Sequence, residues 1–147
     1  MSHSRPEIKI KKLHSLARLP ERQTSGAVGY DICTVEETYF PPGEVTLVRT
    51  GISIELPEGY HAELYTRSSW GKRGLHLANG VGIIDCDYRG ELIFSYANIS
   101  AGKHSIHPGV RVGQLLIRKT HVLDVVEVDN LSSTERDDGG FGSTGEI

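Results

Sequence analysis

The sequence predicts an all-β chain, a sandwich or distorted jelly-roll-like barrel with one short helix and a flexible glycine-rich C-terminal arm. Two observations carry this expectation. Turn residues recur between β-branched segments, at Pro42-Gly43, Pro57-Glu58-Gly59 and Pro108-Gly109. Between them, apolar residues alternate with polar ones at the period that gives a strand one buried face.

Ile8 and Ile10 alternate with lysines, and Ile52, Ile54 and Leu56 with Ser53 and Glu55. Tyr60, Ala62 and Leu64 form the next such set, and Leu92, Phe94 and Tyr96 another. Residues 110–117 and 122–128 read as further strands. A helix is expected only over residues 68–74, with Ser68 or Ser69 capping its start and Gly74 ending it. Residues 80–84 suggest a hairpin whose exposed backbone faces a ligand. Beyond Asn130 apolar content falls away and Gly139, Gly140, Gly142 and Gly145 follow closely. The expected division is therefore a β-rich core over residues 1–129 and an arm over 130–147.

The 147 residues suit a single core, and 37% hydrophobic with 24% charged residues is ordinary for a globular domain. A net charge of -3 argues against a nucleic-acid partner, which calls for a basic surface. Phosphate would have to be met by a local cluster. The start, Met-Ser-His-Ser-Arg-Pro, lacks the apolar stretch of a signal peptide, and no run is long enough to span a membrane. A cytoplasmic protein is expected, in the host cytoplasm if the source is viral. Cys33 and Cys86 form no CxxC pair and read as free thiols. His104 and His107 lie beside Pro108-Gly109 without a third ligand, so they read as turn residues and not as a zinc site.

Four segments carry candidate chemistry, each with a plainer structural reading beside it. In the tail, Gly139 to Gly145 offers converging N–H groups, Ser143 and Thr144 offer hydroxyls, and Arg136 offers a planar fork for phosphate. The plainer reading is a disordered Gly/Ser tail. Phe141 argues against it, since a large ring without a core makes sense closing over a base. Arg67, Ser68 and Ser69 stand at a helix start, as an anion site or as a simple cap with a surface arginine. Asp85 follows an apolar run, either as a general base or, with Asp87, as a turn cap. An ordinary aspartate, with pKa about 3.9, is a weak base and would depend on how the water is placed. Gln114 lies among apolar strand residues, as a structural bridge or a ligand contact.

In order along the chain, these segments resemble the five motifs of the trimeric dUTPase family. Ala27-Val28-Gly29-Tyr30-Asp31-Ile32 is similar to the first and Arg67-Ser68-Ser69 to the second. The third is matched by residues 82–90, from Gly82 through Asp85 and Tyr88 to Gly90. The fourth is matched by residues 109–114 and the fifth by residues 136–145, so the resemblance runs from about Ile8 to the end.

The resemblance implies a homotrimer with shared active sites that hydrolyses dUTP to dUMP and pyrophosphate, lowering dUTP and supplying dUMP for thymidylate synthesis. It makes Asp85 the residue that activates water for attack on the α-phosphate. Tyr88 would exclude a ribose 2′-hydroxyl, while Asn79 and the backbone near Gly82, Ile83 and Ile84 would read uracil. Arg67, Ser68 and Ser69 would hold the phosphates, with Gln114 on the α side. Arg136, Gly142, Ser143 and Thr144 would grip the γ-phosphate while Phe141 stacks on the base. Mg²⁺ would be held mainly by phosphates and water, without a direct protein ligand. Asp31 either touches that hydration shell or serves a turn.

Three departures stand out. Ser69 replaces the usual glycine of the second motif, Gly113 stands where alanine is common, an exchange expected to be harmless, and Asp137-Asp138 place two carboxylates beside a triphosphate site. Two other readings exist: a dCTP deaminase of the same fold, or a non-catalytic nucleotide-binding regulator. For the first, the catalytic glutamate would fall near Ser95, which cannot replace it. The second is opposed by the joint presence of Asp85, Tyr88, Arg136 and Phe141.

Overall fold

A computed structural model describes residues 4–145; residues 1–3 of the expected core and 146–147 of the expected arm lie outside the described residues. In chain order the elements are β1 (Lys9–Lys12), β2 (Tyr30–Cys33), β3 (Thr38–Phe40), β4 (Val45–Arg49), β5 (Ile52–Glu55), β6 (Tyr60–Tyr65), α1 (Ser68–Lys72), β7 (Leu75–Leu77), β8 (Gly82–Ile84), β9 (Ile93–Asn98), β10 (His104–Ile106) and β11 (Arg111–Lys119). All strand pairs are antiparallel: a four-stranded sheet ordered β2-β11-β6-β8, a three-stranded sheet β4-β9-β7, and the pairs β1-β5 and β10-β3. This is the expected all-β, jelly-roll-like arrangement with one short helix.

The alternation seen in the sequence sets the core. Ile32, Ala62, Leu64, Val112 and Leu115 from the larger sheet and Val48, Phe94, Tyr96, Leu75 and Leu77 from the smaller one belong to a single buried cluster. The helix joins it through Trp70, which meets Phe40 edge-on at 5.8 Å and Tyr96 at 4.7 Å. Such pairs contribute roughly 0.5–1.5 kcal/mol each beyond the area they bury. The Tyr96 hydroxyl donates to the Val112 carbonyl and lies 3.1 Å from the Thr66 hydroxyl, linking the two sheets. Burial pushes that phenol up to about 12, so it remains a donor at neutral pH.

The structure departs from the sequence reading in several places. The helix cap is Arg67, without any side-chain cap bond, and Ser68 and Ser69 are the first helical residues. Gly74, at φ 79°, does end the helix. Residues 80–84 form no hairpin: β7 pairs with β9 and β8 with β6, so the intervening turn crosses between sheets. No strand occupies residues 122–128, because no segment among the described residues pairs with them; Val125 is fully exposed and Val122 86% exposed. His104 lies in β10, not a turn, with its Nε2 3.2 Å from the Ser100 hydroxyl. Cys33 and Cys86 are free thiols.

Glu63 breaks the alternation, being buried on the face where a polar residue should be exposed. It is buried because its carboxylate is satisfied three ways. The Tyr65 hydroxyl donates at 2.6 Å, His61 Nε2 lies at 2.9 Å and Arg118 Nε at 3.2 Å. The glycine at position 113 is required by its surroundings. A Cβ there would stand 2.3 Å from the Phe94 ring and 2.8 Å from the Tyr65 carbonyl, at the irregularity in the β11-β2 register.

Two outcomes are expected. Gly113→Ala should lower unfolding stability in urea by about 1–3 kcal/mol, the usual cost of overpacking a filled core, and an unchanged midpoint would contradict the tight fit. The Tyr65 hydroxyl and then His61 hold the Glu63 carboxylate below its usual range. Its contribution is therefore present above the ordinary carboxylate pKa and is lost as pH falls through the folded value. Glu63→Gln should flatten the acid limb of the stability–pH curve, and an identical limb would refute the link.

Candidate active site

The first part of the site is built on β8. This strand is outermost in its sheet and pairs only with β6, so the backbone groups of its other edge are free among the described residues. A turn in which Gly80 donates to the Leu77 carbonyl and Val81 to that of Asn79 leads into it, leaving Asn79 exposed. Gly80 needs its φ of 74° here. At the other end of β8 the chain reaches Asp85, which is exposed, and no hydrogen bond among the described residues engages its carboxylate. The readings of Asp85 and Asp87 as side-chain turn caps thus find no contact here; the turn is closed by the Tyr88 N–H donating to the Asp85 carbonyl at 3.1 Å.

Tyr88 then folds back, its hydroxyl donating to the Glu91 carbonyl at 2.9 Å. A Cβ on Gly90 would stand 2.3 Å from that hydroxyl, so glycine lets the ring lie over its own loop. Between the free edge of β8 and the start of β9 lies a recess of about 160 Å³ lined by Ile83, Ile84, Asp85, Tyr88, Glu91 and Ile93. Three isoleucines form its apolar wall, and Asp85, Tyr88 and Glu91 place polar groups at its rim.

The second part lies at the far end of β6. Thr66 is fixed by the Tyr96 hydroxyl, and its carbonyl accepts from Gln114 Nε2 at 3.2 Å. Gly29 makes room for that amide, since a Cβ there would stand 2.2 Å from Gln114 Oε1. Arg67 follows, half-buried and extended (φ -86°, ψ 146°), then exposed Ser68 and Ser69. With no side-chain cap, the first N–H groups of α1 stay available beside the Arg67 guanidinium. Asp31 is paired in register with Gln114 across β2-β11, its Oδ2 3.9 Å from Arg111 Nε.

The third part is the arm. Residues 121–145 make no hydrogen bond or ion pair to the rest of the chain among the described residues. Their order is local: Thr134 and Asp137 exchange hydrogen bonds at 2.8 and 2.9 Å, and Arg136 Nε donates to the Gly139 carbonyl at 2.6 Å. Asp137 thereby spends its carboxylate on a turn instead of facing a ligand. Phe141 is wholly exposed at φ 50°, and Gly142, Ser143 and Thr144 project with it.

The structure therefore gathers the sequence candidates into three groups and does not bring the groups together. Asn79, Gly82, Ile83, Ile84, Asp85 and Tyr88 surround the recess. Arg67, Ser68, Ser69 and Gln114 cluster at the other end of β6, and Arg136, Phe141, Gly142, Ser143 and Thr144 sit on the arm. The register fixes the gap: Ala62 pairs with Ile84, which sets Asp85 beside His61, whereas Gln114 pairs with Tyr65. Four residues of strand separate them, about 13 Å at 3.3 Å per residue. Sequence reasoning missed Glu91 and Ile93 as lining residues. A signal was present, because placing Leu92, Phe94 and Tyr96 inward turns Ile93 outward toward the recess.

Comparison with known proteins identifies the family and the fold. The dUTPase family model matches residues 15–145. A deoxyuridine 5'-triphosphate nucleotidohydrolase of Hydrogenobaculum sp. (strain Y04AAS1) is 46% identical over 138 residues, 92% of this chain and 96% of that protein. Another, from Wolinella succinogenes, is 39% identical over 95% of this chain and 94% of its own. Among solved structures, a mutant of Staphylococcus bacteriophage 80alpha dUTPase with dUpNHpp superposes at a TM-score of 0.88, with 27% identity over 95% of this chain and 98% of its own. A mutant dUTPase of phage phi11 of S. aureus, with a structural Mg(II) ion, shares the fold at a TM-score of 0.80 and 24% identity, covering 86% of this chain and 99% of its own. The chain belongs to the dUTPase family.

Proposed function

We propose that this chain is a dUTP diphosphatase that hydrolyses dUTP to dUMP and pyrophosphate. The observation that carries the reading is the recess at the free edge of β8, where an unpaired row of backbone groups ends in an exposed carboxylate beside Tyr88. A pyrimidine edge offers donors and acceptors in the plane of its ring. A free strand edge at Gly82, Ile83 and Ile84, with Asn79, can match uracil in this way. Cytosine reverses part of the pattern and would leave buried groups unpaired, the most discriminating kind of mismatch. The Tyr88 ring, held over its loop, leaves a 2′-hydrogen room that a 2′-hydroxyl would lack.

Asp85 orients a water for attack on the α-phosphorus. The new bond forms between the water oxygen and that phosphorus, the bond to the bridging oxygen of the β-phosphate breaks, and the proton passes to the Asp85 carboxylate. Arg67, Ser68 and Ser69 hold the phosphate chain through a guanidinium, hydroxyls and the free N–H groups of α1, with Gln114 on the α side. Arg136, Gly142, Ser143 and Thr144 close on the γ-phosphate while Phe141 stacks on the base. Ordering of the arm, residues 130–147, over a core of residues 1–129 then excludes water from the site.

Among the described residues no three His, Cys, Asp or Glu side chains gather to hold a metal, and Asp85 and Glu91 are the carboxylates that line the recess. Phosphate oxygens and water would supply most ligands, with Asp31 reaching the ion through water. When bound, Mg²⁺ neutralises charge on the departing pyrophosphate.

Asp85 and Gln114, which this reading brings together at the α-phosphate, stand about 13 Å apart along β6 within one chain. A homotrimer in which neighbours supply the missing parts resolves this, and also gives the exposed Val122, Leu123, Val125 and Val126 a surface to cover. No helix of the described residues is long and apolar enough to cross a membrane. The proposed setting is the cytoplasm, a host's cytoplasm for a virus, where the reaction lowers dUTP and supplies dUMP for thymidylate synthesis.

The test is pyrophosphate release from dUTP, dCTP, dTTP and UTP with magnesium, for the wild type and Asp85→Asn, with ammonia followed for dCTP. Release from dUTP alone, falling by about 10³-fold or more in Asp85→Asn while dUTP binding survives, is expected. Ammonia from dCTP, or undiminished turnover by the variant, would overturn the reading.

A further inference from the structure

The loop that carries Tyr88 is held by more than its own turn. Its phenol makes one hydrogen bond among the described residues, to the Glu91 carbonyl, so the ring can be no better placed than residue 91 is. Residue 91 is fixed from β4. Arg49 Nε donates to Glu91 Oε2 at 3.0 Å and Nη2 to Oε1 at 2.9 Å, a bidentate fork, and Glu36 lies 3.7 Å from the same guanidinium. The Glu91 side chain is only 13% exposed, whereas that of Arg49 is 45% exposed. The next residue is held from the segment that joins β4 to β5. The Leu92 N–H donates to the Ile52 carbonyl at 2.8 Å, and the Thr50 hydroxyl donates to the Leu92 carbonyl at 2.6 Å. On the other side of Tyr88, Arg89 donates to the carbonyls of Cys86 and Tyr88 at 2.6 and 3.2 Å and pairs with Glu55 at 3.4 Å.

We propose that Arg49 is a positioning residue for sugar discrimination: its bidentate grip on Glu91 sets the height of the Tyr88 ring over the recess and so tunes the preference for a 2′-deoxyribose. Arg49 does not line the recess, and acts only through Glu91. The inference rests on the reading of Tyr88 as the sugar gate. It goes beyond that reading in assigning the gate's stiffness to a charged pair reaching from a different sheet element. A half-exposed ion pair contributes little to global stability. A fork that is geometrically specific is nonetheless suited to holding one carbonyl in place. A 2′-hydroxyl adds one oxygen to the sugar, so a ring free to drift outward by a fraction of an ångström admits it.

The experiment measures kcat/KM for dUTP and UTP in wild type, Arg49→Met, Tyr88→Phe, the double variant Arg49→Met with Tyr88→Phe, and Tyr88→Ala, each with its thermal midpoint. Arg49→Met should keep kcat for dUTP and its midpoint close to wild type while the dUTP/UTP preference falls roughly fivefold, the scale of one partly exposed pair. Tyr88→Phe, which removes the hydroxyl that reaches Glu91, should give a similar fall. The double variant should fall no further than either single variant, because both cut the same chain of contacts. Tyr88→Ala should abolish most of the preference. Loss in Tyr88→Ala with an unchanged preference in Arg49→Met, or strictly additive single variants, would overturn the role of Arg49 and leave the gate intact. An unchanged preference in Tyr88→Ala would overturn the gate and, with it, the role of Arg49.

Discussion

The arrangement turns on one buried hydroxyl. Tyr96 sits fully buried at the centre of the aromatic cluster, and its O–H must find a partner where water cannot reach. It reaches the Val112 carbonyl of β11 and the hydroxyl of Thr66, tying the three-stranded sheet to the four-stranded one. Thr66 in turn receives Gln114 on its carbonyl and hands the chain to Arg67 and α1. The same ring packs against Trp70, the helix's anchor. The packing that closes the core thus also fixes where Arg67, Ser68 and Ser69 leave it.

The opposite end of the larger sheet is governed by a different constraint. β8 has a neighbour on one side only, and an unpaired strand edge is normally a liability. Here the edge borders a recess instead of open solvent, and the strand ends in a carboxylate that the rest of the described chain leaves alone. Under the proposed reading Asp85 and Gln114 both meet the α-phosphate, yet the register sets them at opposite ends of β6. The proposed assembly of several copies would remove the conflict, and would also give the exposed apolar residues Val122, Leu123, Val125 and Val126 a surface to cover.

Much of this was legible in the sequence where the physics is local. Alternation at Leu92, Phe94 and Tyr96 and at Ile52, Ile54 and Leu56 gave the buried faces correctly, because a pleated strand leaves little choice. What failed depends on partners distant in sequence. Residues 122–128 carry a strand pattern but find no partner strand among the described residues. The serines after Arg67 look like caps yet fall inside the helix, because Trp70 and Tyr96 set its start by packing. Residues 80–84 look like a hairpin, but their neighbours belong to two sheets. Glu63 is buried only because Tyr65, His61 and Arg118 meet it there, three residues on two strands. The geometry of the candidate site divides the same way: Asp85 and Tyr88 lie in one short segment that lines the recess, while Gly29, Thr66 and Gln114 meet only through contacts between distant segments.

The most direct measurement mixes two inactive variants. Asp85→Asn retains the Arg67–Gln114 cluster, and Arg67→Ala with Gln114→Ala retains Asp85. Each would be unfolded, combined with the other, refolded together and assayed for pyrophosphate release from dUTP. If sites are shared between copies, some sites in the mixture combine an intact Asp85 from one chain with an intact phosphate cluster from another, and activity should rise severalfold above either parent refolded alone. A mixture that forms mixed assemblies yet stays at the level of its parents would contradict a site assembled across chains.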